Sequence, residues 1–379
     1  MHTQLVPPEL LKKTDKILFI AHLALGDFTY LQNCFKAFSE AYPHIQIHIW
    51  VDEVRRTSHA AKWQHLRKYA LYDWLAACPF VTRIYQETYS PELFKQSIRS
   101  AQQQQYPLVV SLSTLRPPLY AGLAREISPH GFVAGMQQGT HFLALHRRLA
   151  YRKLNAGLDI DAMALPGQHI SAVYAGWFRR LFGFEIAVPS RFPFVQIPAQ
   201  WQQYAEQQLA TWHFDAASRA GGKLVFINPF AKTGKRCWPL ERVVELVLAL
   251  KQRPGWSDSC FIVNAVPEEM ENAKQFFAAH ALERVQLFSA QDNFFQLPAI
   301  LGKCDLVISV ETAVMHLANA VRIPVIALMR QKNPEWAPID KDHSTVITTA
   351  NRREWVRSIT VPQVIAALPQ PMELAHAHD

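Results

Sequence analysis

The stretch that decides the fold is Asp305 to Pro338, DLVISVETAVMHLANAVRIPVIALMRQKNPEWAP. Asp305 to Val310 is a short apolar run rich in β-branched residues, as a strand buried on both faces of a parallel sheet requires. Met315, Leu317, Ala318 and Val321 then give the apolar positions of a helix that begins near Thr312. Pro324 follows it, and Val325 to Met329 reads as the next buried strand. The segment is a βαβ unit, and the turn after its first strand stands where open α/β sheets bind ligands. Backbone N–H groups of Ala313 and Val314, at a helix N-terminus, form an anion site. Thr312 and His316 are four apart and share one face of that turn. A hydroxyl and an imidazole there suit a pyrophosphate. A Thr312 that only caps the helix and a His316 that packs in the core satisfy the local pattern at least as well.

Working outward, 379 residues allow two domains of ordinary size, and 49% hydrophobic residues suffice for two cores. No apolar run approaches the length of a transmembrane helix. The opening MHTQLVPPELLKKTDK carries neither a continuous apolar region nor a small-residue cleavage site, so no signal peptide is expected. Cys34, Cys78, Cys237, Cys260 and Cys304 are odd in number, widely spaced and without a CxxC pair. That argues against a disulfide framework and for a reducing cytoplasm. A formal charge of +8 and a pI of about 9.2 point to an anionic partner. With no nucleic-acid motif and no lysine-rich tail, phosphorylated substrates or an anionic phospholipid surface rank ahead of nucleic acid.

Residues 1–15 read as a loose leader, Lys16 to Ala21 as a buried strand, Phe28 to Ala41 as a helix and Ile45 to Val51 as a second strand. The turn HLALGD holds a single glycine, Gly26, so the dinucleotide fingerprint G-x-G-x-x-G is absent and a dehydrogenase is disfavoured. Residues 54–68 are basic and aromatic, with Arg55, Arg56 and Lys62, and Ala76–Arg83 and Leu108–Ser113 supply more strand material. Arg116 then stands at a strand's carboxyl end, within reach of a phosphate or carboxylate. GFVAGMQQGTH reads as a glycine-rich loop ending at His141, and His146, Arg147 and Arg148 as surface or substrate-side residues. Asp159-Ile160-Asp161 is formally a DxD metal signature, discounted because it reads as loop. The proline-bearing stretch 184–198 is the expected linker. The domains are thus 16–183 and 199–360, followed by a C-terminal helix and tail over 361–379.

Three stretches resemble glycosyltransferase family 9, the ADP-heptose:lipopolysaccharide heptosyltransferases. The first is the opening segment, where the family shows strand, S-x-D-T-G-x-x-H-L-A-A-A, proline and strand. Ser309, Thr312, His316, Leu317, Ala318, Ala320, Pro324, Pro334 and Trp336 fall on its pattern, while Glu311 replaces Asp and Ala313 replaces Gly. The second is Gly26-Asp27, after a strand and before a helix, where the family places its catalytic base. A carboxylate there can take the proton of an attacking sugar hydroxyl; it can equally cap the helix. The third is NPFAKTGKRCWPLERVVELVLAL, in which Asn228, Pro229, Ala231, Trp238, Pro239 and Glu241 match and Phe230 replaces Gly. The family's phosphate-binding Lys lies two before the Trp; Arg236 holds that spacing here and Lys235 sits one earlier. Either cation could meet a diphosphate.

The resemblance implies an α/β protein of two doubly wound Rossmann-like domains facing a cleft, the glycosyltransferase B architecture. It implies an inverting, metal-independent transferase moving heptose from ADP-heptose to the inner core of lipopolysaccharide. Asp27 would be the base. Thr233, Lys235, Arg236, Glu268, Glu311, Thr312, Ala313 and His316 would bind the donor, with Glu268 on its ribose side. Arg55, Arg56, Lys62 and Arg116 would receive the anionic acceptor. No cofactor or metal and no nucleic-acid partner are expected. The location would be cytoplasmic, peripheral on the inner membrane. A different nucleotide-sugar or acceptor, or a non-catalytic nucleotide-sugar or glycan binder, remains the alternative.

Overall fold

A computed structural model describes residues 4–139, 145–163, 167–219 and 221–368. His141 and the tail after Leu368 lie outside the described residues. The chain forms two compact units, Met1–Arg191 and Phe192–Asp379.

Unit 1 is built on an all-parallel sheet of β1 (Lys16–Ala21), β2 (Gln46–Val51), β3 (Val81–Tyr85), β4 (Leu108–Ser111), β5 (Phe132–Gln137) and β6 (Ala156–Asp159), in the order β3-β2-β1-β4-β5-β6. Unit 2 repeats it with β7 (Leu224–Asn228), β8 (Cys260–Asn264), β9 (Val285–Phe288), β10 (Leu306–Val310), β11 (Val325–Met329) and β12 (Ser344–Thr348), in the order β12-β11-β10-β7-β8-β9. Both are doubly wound, as expected. Strand order reverses between β1 and β4 in one unit and between β7 and β10 in the other. A crevice opens at such points beyond the carboxyl ends of the strands.

Five phenylalanines fill the space between the unit 1 sheet and the helices Leu25–Ala41 and Ile170–Phe182. Phe19 lies 5.0 Å from Phe35, 5.6 Å from Phe38, 5.8 Å from Phe178 and 6.0 Å from Phe182 between ring centroids, in the tilted, stacked and edge-on geometries aromatic pairs favour. Gly183 ends the second helix at φ 82°, and a Cβ there would meet Gln4 Oε1 at 2.3 Å. In unit 2, Trp238 is buried and its Nε1 donates to Ile359 O at 2.9 Å, tying the loop after β7 to the C-terminal segment.

Several expectations are corrected. The leader is docked: Pro8–Lys13 is helical, Val6 and Leu11 are buried, and Leu5 and Val6 N–H donate to Arg180 and Leu181 carbonyls at 3.0 Å. Those carbonyls end a helix and need partners. The helix placed at Phe28 starts at Leu25. Ala70–Ala76 is a helix, and the strand of that region is β3. The supposed glycine loop contains β5. Asp159 closes β6 and Asp161 lies in the helix Ile160–Met163, so the DxD sits at a strand end after all. Among the described residues no helix is long and apolar enough to cross a membrane.

Candidate active site

In unit 2 the site starts from strand register. Asn228 ends β7 beside Ser309 of β10. Its Nδ2 donates to Ser309 Oγ at 3.0 Å and to Thr312 Oγ1 at 2.9 Å. Its Oδ1 accepts from Asn264 Nδ2, at the end of β8, at 2.8 Å. One amide thus joins three neighbouring strand ends. Thr312 caps the helix Ala313–Ala320, its hydroxyl accepting from Val314 N at 3.3 Å. Capping therefore takes one of the two amides expected for an anion, and Ala313 N–H leads the helix. His316 is 2% exposed and lies beside Trp336, 6.1 Å between centroids, on a helix buried from Val314 to Asn319.

Glu311 is also buried. Its Oε1 accepts from Arg236 Nε at 2.8 Å and from Arg330 Nε at 2.6 Å, and its Oε2 from Arg330 N at 3.2 Å. Two guanidiniums around one carboxylate make charge-assisted bonds that need no water. Glu311 therefore holds the loops after β7 and β11 together rather than standing open to a ligand. The pairing also separates the two candidate cations. Arg236 is tied inward, whereas Lys235 is exposed and hangs 5.7 Å above the Trp355 ring. Arg330 approaches the same ring at 5.0 Å. Thr233 is exposed at the start of the turn Gly234–Arg236. Glu268 is exposed in the turn Pro267–Glu269. Arg330 and Trp355 escaped the sequence reading; the one signal was that Arg330 is the first polar residue after β11.

In unit 1 Asp27 stands in the first turn of the helix Leu25–Ala41, not at its cap. Its Oδ2 accepts from Ala24 N at 3.2 Å and its Oδ1 from Tyr174 Oη at 2.8 Å. Burial pushes its pKa above the usual carboxylate value, against the pull of the Tyr174 and Ala24 bonds. A carboxylate fixed in orientation and raised in basicity suits proton abstraction. Beside it, the His22 ring stacks on Tyr120 at 5.9 Å, and its buried Nδ1 has no hydrogen-bond partner. Burial lowers the His22 pKa, opposed by the charges of Asp27 and Asp52. The buried Ser113 Oγ, just past β4, is likewise unpaired.

The expected acceptor-side cations are not one cluster. Arg55 grips Glu53 through Nε and Nη2, each at 2.7 Å. Arg56 pairs with Asp52, donates through Nε to Thr88 O at 2.7 Å and lies 3.5 Å over Phe94. Tyr120 Oη donates to the same Asp52 at 2.7 Å. These arginines brace the loop after β2, because buried Asp52 and Glu53 need counter-charges. Lys62 and Arg116 are exposed, Arg116 at φ 53°. Among the described residues no three His, Cys, Asp or Glu side chains gather as a metal site.

Residues 165–359, just over half of the chain, match the profile of glycosyltransferase family 9 (heptosyltransferase). No curated protein matches by sequence. Among solved structures, the glycosyl transferase family 9 protein of Veillonella parvula superposes with a TM-score of 0.72 at 16% identity, over 95% of this chain and 97% of its own. The ADP-heptose lipopolysaccharide heptosyltransferase II of Escherichia coli gives 0.68 at 16%, over 96% and 100%. An E. coli heptosyltransferase with ADP-2-deoxy-2-fluoro heptose gives 0.61 at 19%, over 93% and 98%. These likenesses extend over both units and establish the shared fold.

Proposed function

The chain belongs to glycosyltransferase family 9, a family of glycosyltransferases, and we propose that it moves a heptose from ADP-heptose to the inner core of lipopolysaccharide. The names of the E. coli relatives, heptosyltransferases and one of them solved with a fluorinated ADP-heptose, support this donor. The observation that carries the chemistry is Asp27, a partly buried carboxylate of raised pKa, held by Tyr174 at a strand-order reversal.

The reaction is a single displacement with inversion. Asp27 takes the proton of the acceptor hydroxyl as its oxygen bonds to the anomeric carbon, and the bond from that carbon to the ADP oxygen breaks. Negative charge gathering on ADP is met by the Lys235 ammonium, the Thr233 hydroxyl and the N-terminus of Ala313–Ala320. These groups replace a metal ion.

Glu311 favours a second reading, another nucleotide-sugar. The family's shorter Asp is replaced here by a carboxylate closed off between two arginines. Thermal-shift binding against ADP, UDP, GDP and their sugars, with and without EDTA, separates the two. Stabilisation selective for ADP and ADP-heptose and indifferent to EDTA is expected. Selectivity for UDP or GDP would replace the donor, and a requirement for metal would overturn the metal-free step.

A further inference from the structure

His22 follows β1 directly, between the strand's two neighbours. Ile20 pairs with Trp50 of β2 and with Ser111 of β4. Past those pairs the ladder continues: Leu112 N donates to Ile20 O at 2.8 Å and Asp52 N to Ala21 O at 2.9 Å. His22 therefore stands level with Asp52 on one side and Ser113 on the other. Side chains two apart share a face, so these three continue the face of Ile20, Trp50 and Ser111. Leu18, Ile20, Trp50 and Val109 form one core there with Tyr120, from the helix Pro117–Ile127. The core ends in polar groups of unequal state. Tyr120 Oη donates to Asp52 at 2.7 Å and Arg56 pairs with the same carboxylate, so both of its oxygens are engaged. His22 stacks on Tyr120 yet its buried Nδ1 has no partner, and the buried Ser113 Oγ has none either. The charges of Asp27 and Asp52 reach the ring, but burial outweighs them and keeps it uncharged at neutral pH. A neutral imidazole carries one N–H and one lone pair.

We propose that His22 is a positioning residue for the acceptor: its imidazole takes a hydrogen bond from a second hydroxyl of the sugar, close to the hydroxyl that Asp27 deprotonates. The ring is half-buried, so its other edge faces the crevice at the strand ends. As the acceptor binds, Nδ1–H turns to Ser113 Oγ, which fixes the tautomer and aims the Nε2 lone pair at the ligand. The chemistry selects a hydroxyl. A carboxylate or phosphate would meet an uncharged ring between the charges of Asp27 and Asp52, and a cation would find Asp52 already paired with Arg56. A site whose buried atoms are satisfied only through a ligand O–H also rejects an acceptor that lacks it. His22 is thus the specificity-determining partner of Asp27, and the acceptor presents one hydroxyl to each. The inference rests on the acceptor reading above and is independent of which nucleotide carries the donor.

The test is calorimetric titration of lipopolysaccharide inner-core oligosaccharide, freed of its acyl chains, into the full chain, followed by steady-state transfer from ADP-heptose. His22→Ala should raise the acceptor Kd and KM about tenfold, with kcat within about twofold and ADP affinity as in the parent. His22→Gln keeps a hydrogen-bonding group and should recover most of that loss. His22→Phe keeps only the stack on Tyr120 and should not. Ser113→Ala should cost about threefold alone and little more on top of His22→Ala. Among acceptors singly deoxygenated beside the transfer position, one should bind the parent as weakly as the intact sugar binds His22→Ala, with no further loss in the variant. Unaltered melting temperatures verify folding. Equal acceptor affinity of the parent and His22→Ala overturns the proposal alone, as does a Phe variant that equals the Gln variant. A collapse of kcat at unchanged acceptor KM would make His22 the base and overturn it too. An oligosaccharide that the parent does not bind overturns the acceptor reading and this assignment with it. A preference for UDP or GDP replaces only the donor, and the titrations still decide the role of His22.

Discussion

Where strand order reverses in unit 2, Asn228 bonds Ser309 and Thr312 and is itself held by Asn264, so the polar groups at the strand ends are satisfied before any ligand arrives. At the same place in unit 1, His22 Nδ1 and Ser113 Oγ are buried without partners, next to a carboxylate whose pKa burial has raised. One sheet topology thus carries two kinds of site. The saturated one is a preformed cradle whose geometry does not wait for the ligand. The other stores the cost of unpaired groups, about 1–3 kcal/mol each, which a hydroxyl-bearing ligand can recover by bonding them. A cradle suits an invariant diphosphate, and an unsatisfied surface suits an acceptor hydroxyl about to be deprotonated.

The contrast breaks most directly at Asp27. Asp27→Asn should lower kcat about a thousandfold with the donor KM unchanged, measured by single-turnover transfer. It should also raise the melting temperature at neutral pH. A carboxyl whose folded pKa exceeds its unfolded value contributes stability below the unfolded pKa and loses it as pH rises through the folded one. Ionised Asp27 is therefore a burden that the amide removes. Retention of kcat would end its assignment as base.

Next in size is Glu311→Ala, which leaves Arg236 and Arg330 facing each other without their carboxylate. A loss of about 3 kcal/mol, or a melting temperature lower by roughly 6–12 °C, is expected by calorimetry. Glu53→Ala in unit 1 should cost less, about 1 kcal/mol, because its partner Arg55 is mostly in water. Equal losses would show that the two ion pairs do not differ as drawn.

Lys235→Ala should weaken ADP binding by at least about tenfold in calorimetric titration while sparing stability. Arg236→Lys should do the reverse, since a lysine cannot copy a guanidinium's grip on Glu311. The opposite outcome would exchange their roles. Smallest is Tyr174→Phe. The phenol's bond stabilises the ionised Asp27, so its loss raises that pKa further. The rate falls as pH drops through this pKa, and the acid limb of the kcat profile should move to higher pH. An unmoved limb would detach Tyr174 from the base.

Much of this was legible because β1, β7, β10 and β11 are nearly continuous apolar runs, the mark of strands covered on both faces. The edge strands β9 and β12 escaped because Val285–Phe288 and Ser344–Thr348 are short and partly exposed, as edges must be to avoid pairing with other chains. Asp27, Lys235 and Thr312 stood in recognisable turns. Their partners did not: Tyr174 lies 147 positions from Asp27, a distance no local spacing encodes. Likewise, that Arg236 is closed off by Glu311 across 75 positions becomes visible only once β7 and β10 lie side by side.

The docked segment before β1 has a consequence in time. Val6 and Leu11 are core residues, yet the carbonyls that receive Leu5 and Val6 belong to Arg180 and Leu181, made roughly 175 residues later. At about 5–20 residues per second, translation spends ~10–35 s between them. Throughout that interval the segment has no completed helix end to dock on, and its apolar side chains are open to chaperones. Unit 1 closes its core only after the helix Ile170–Phe182 has emerged, so its birth is a single late event and not a progressive one.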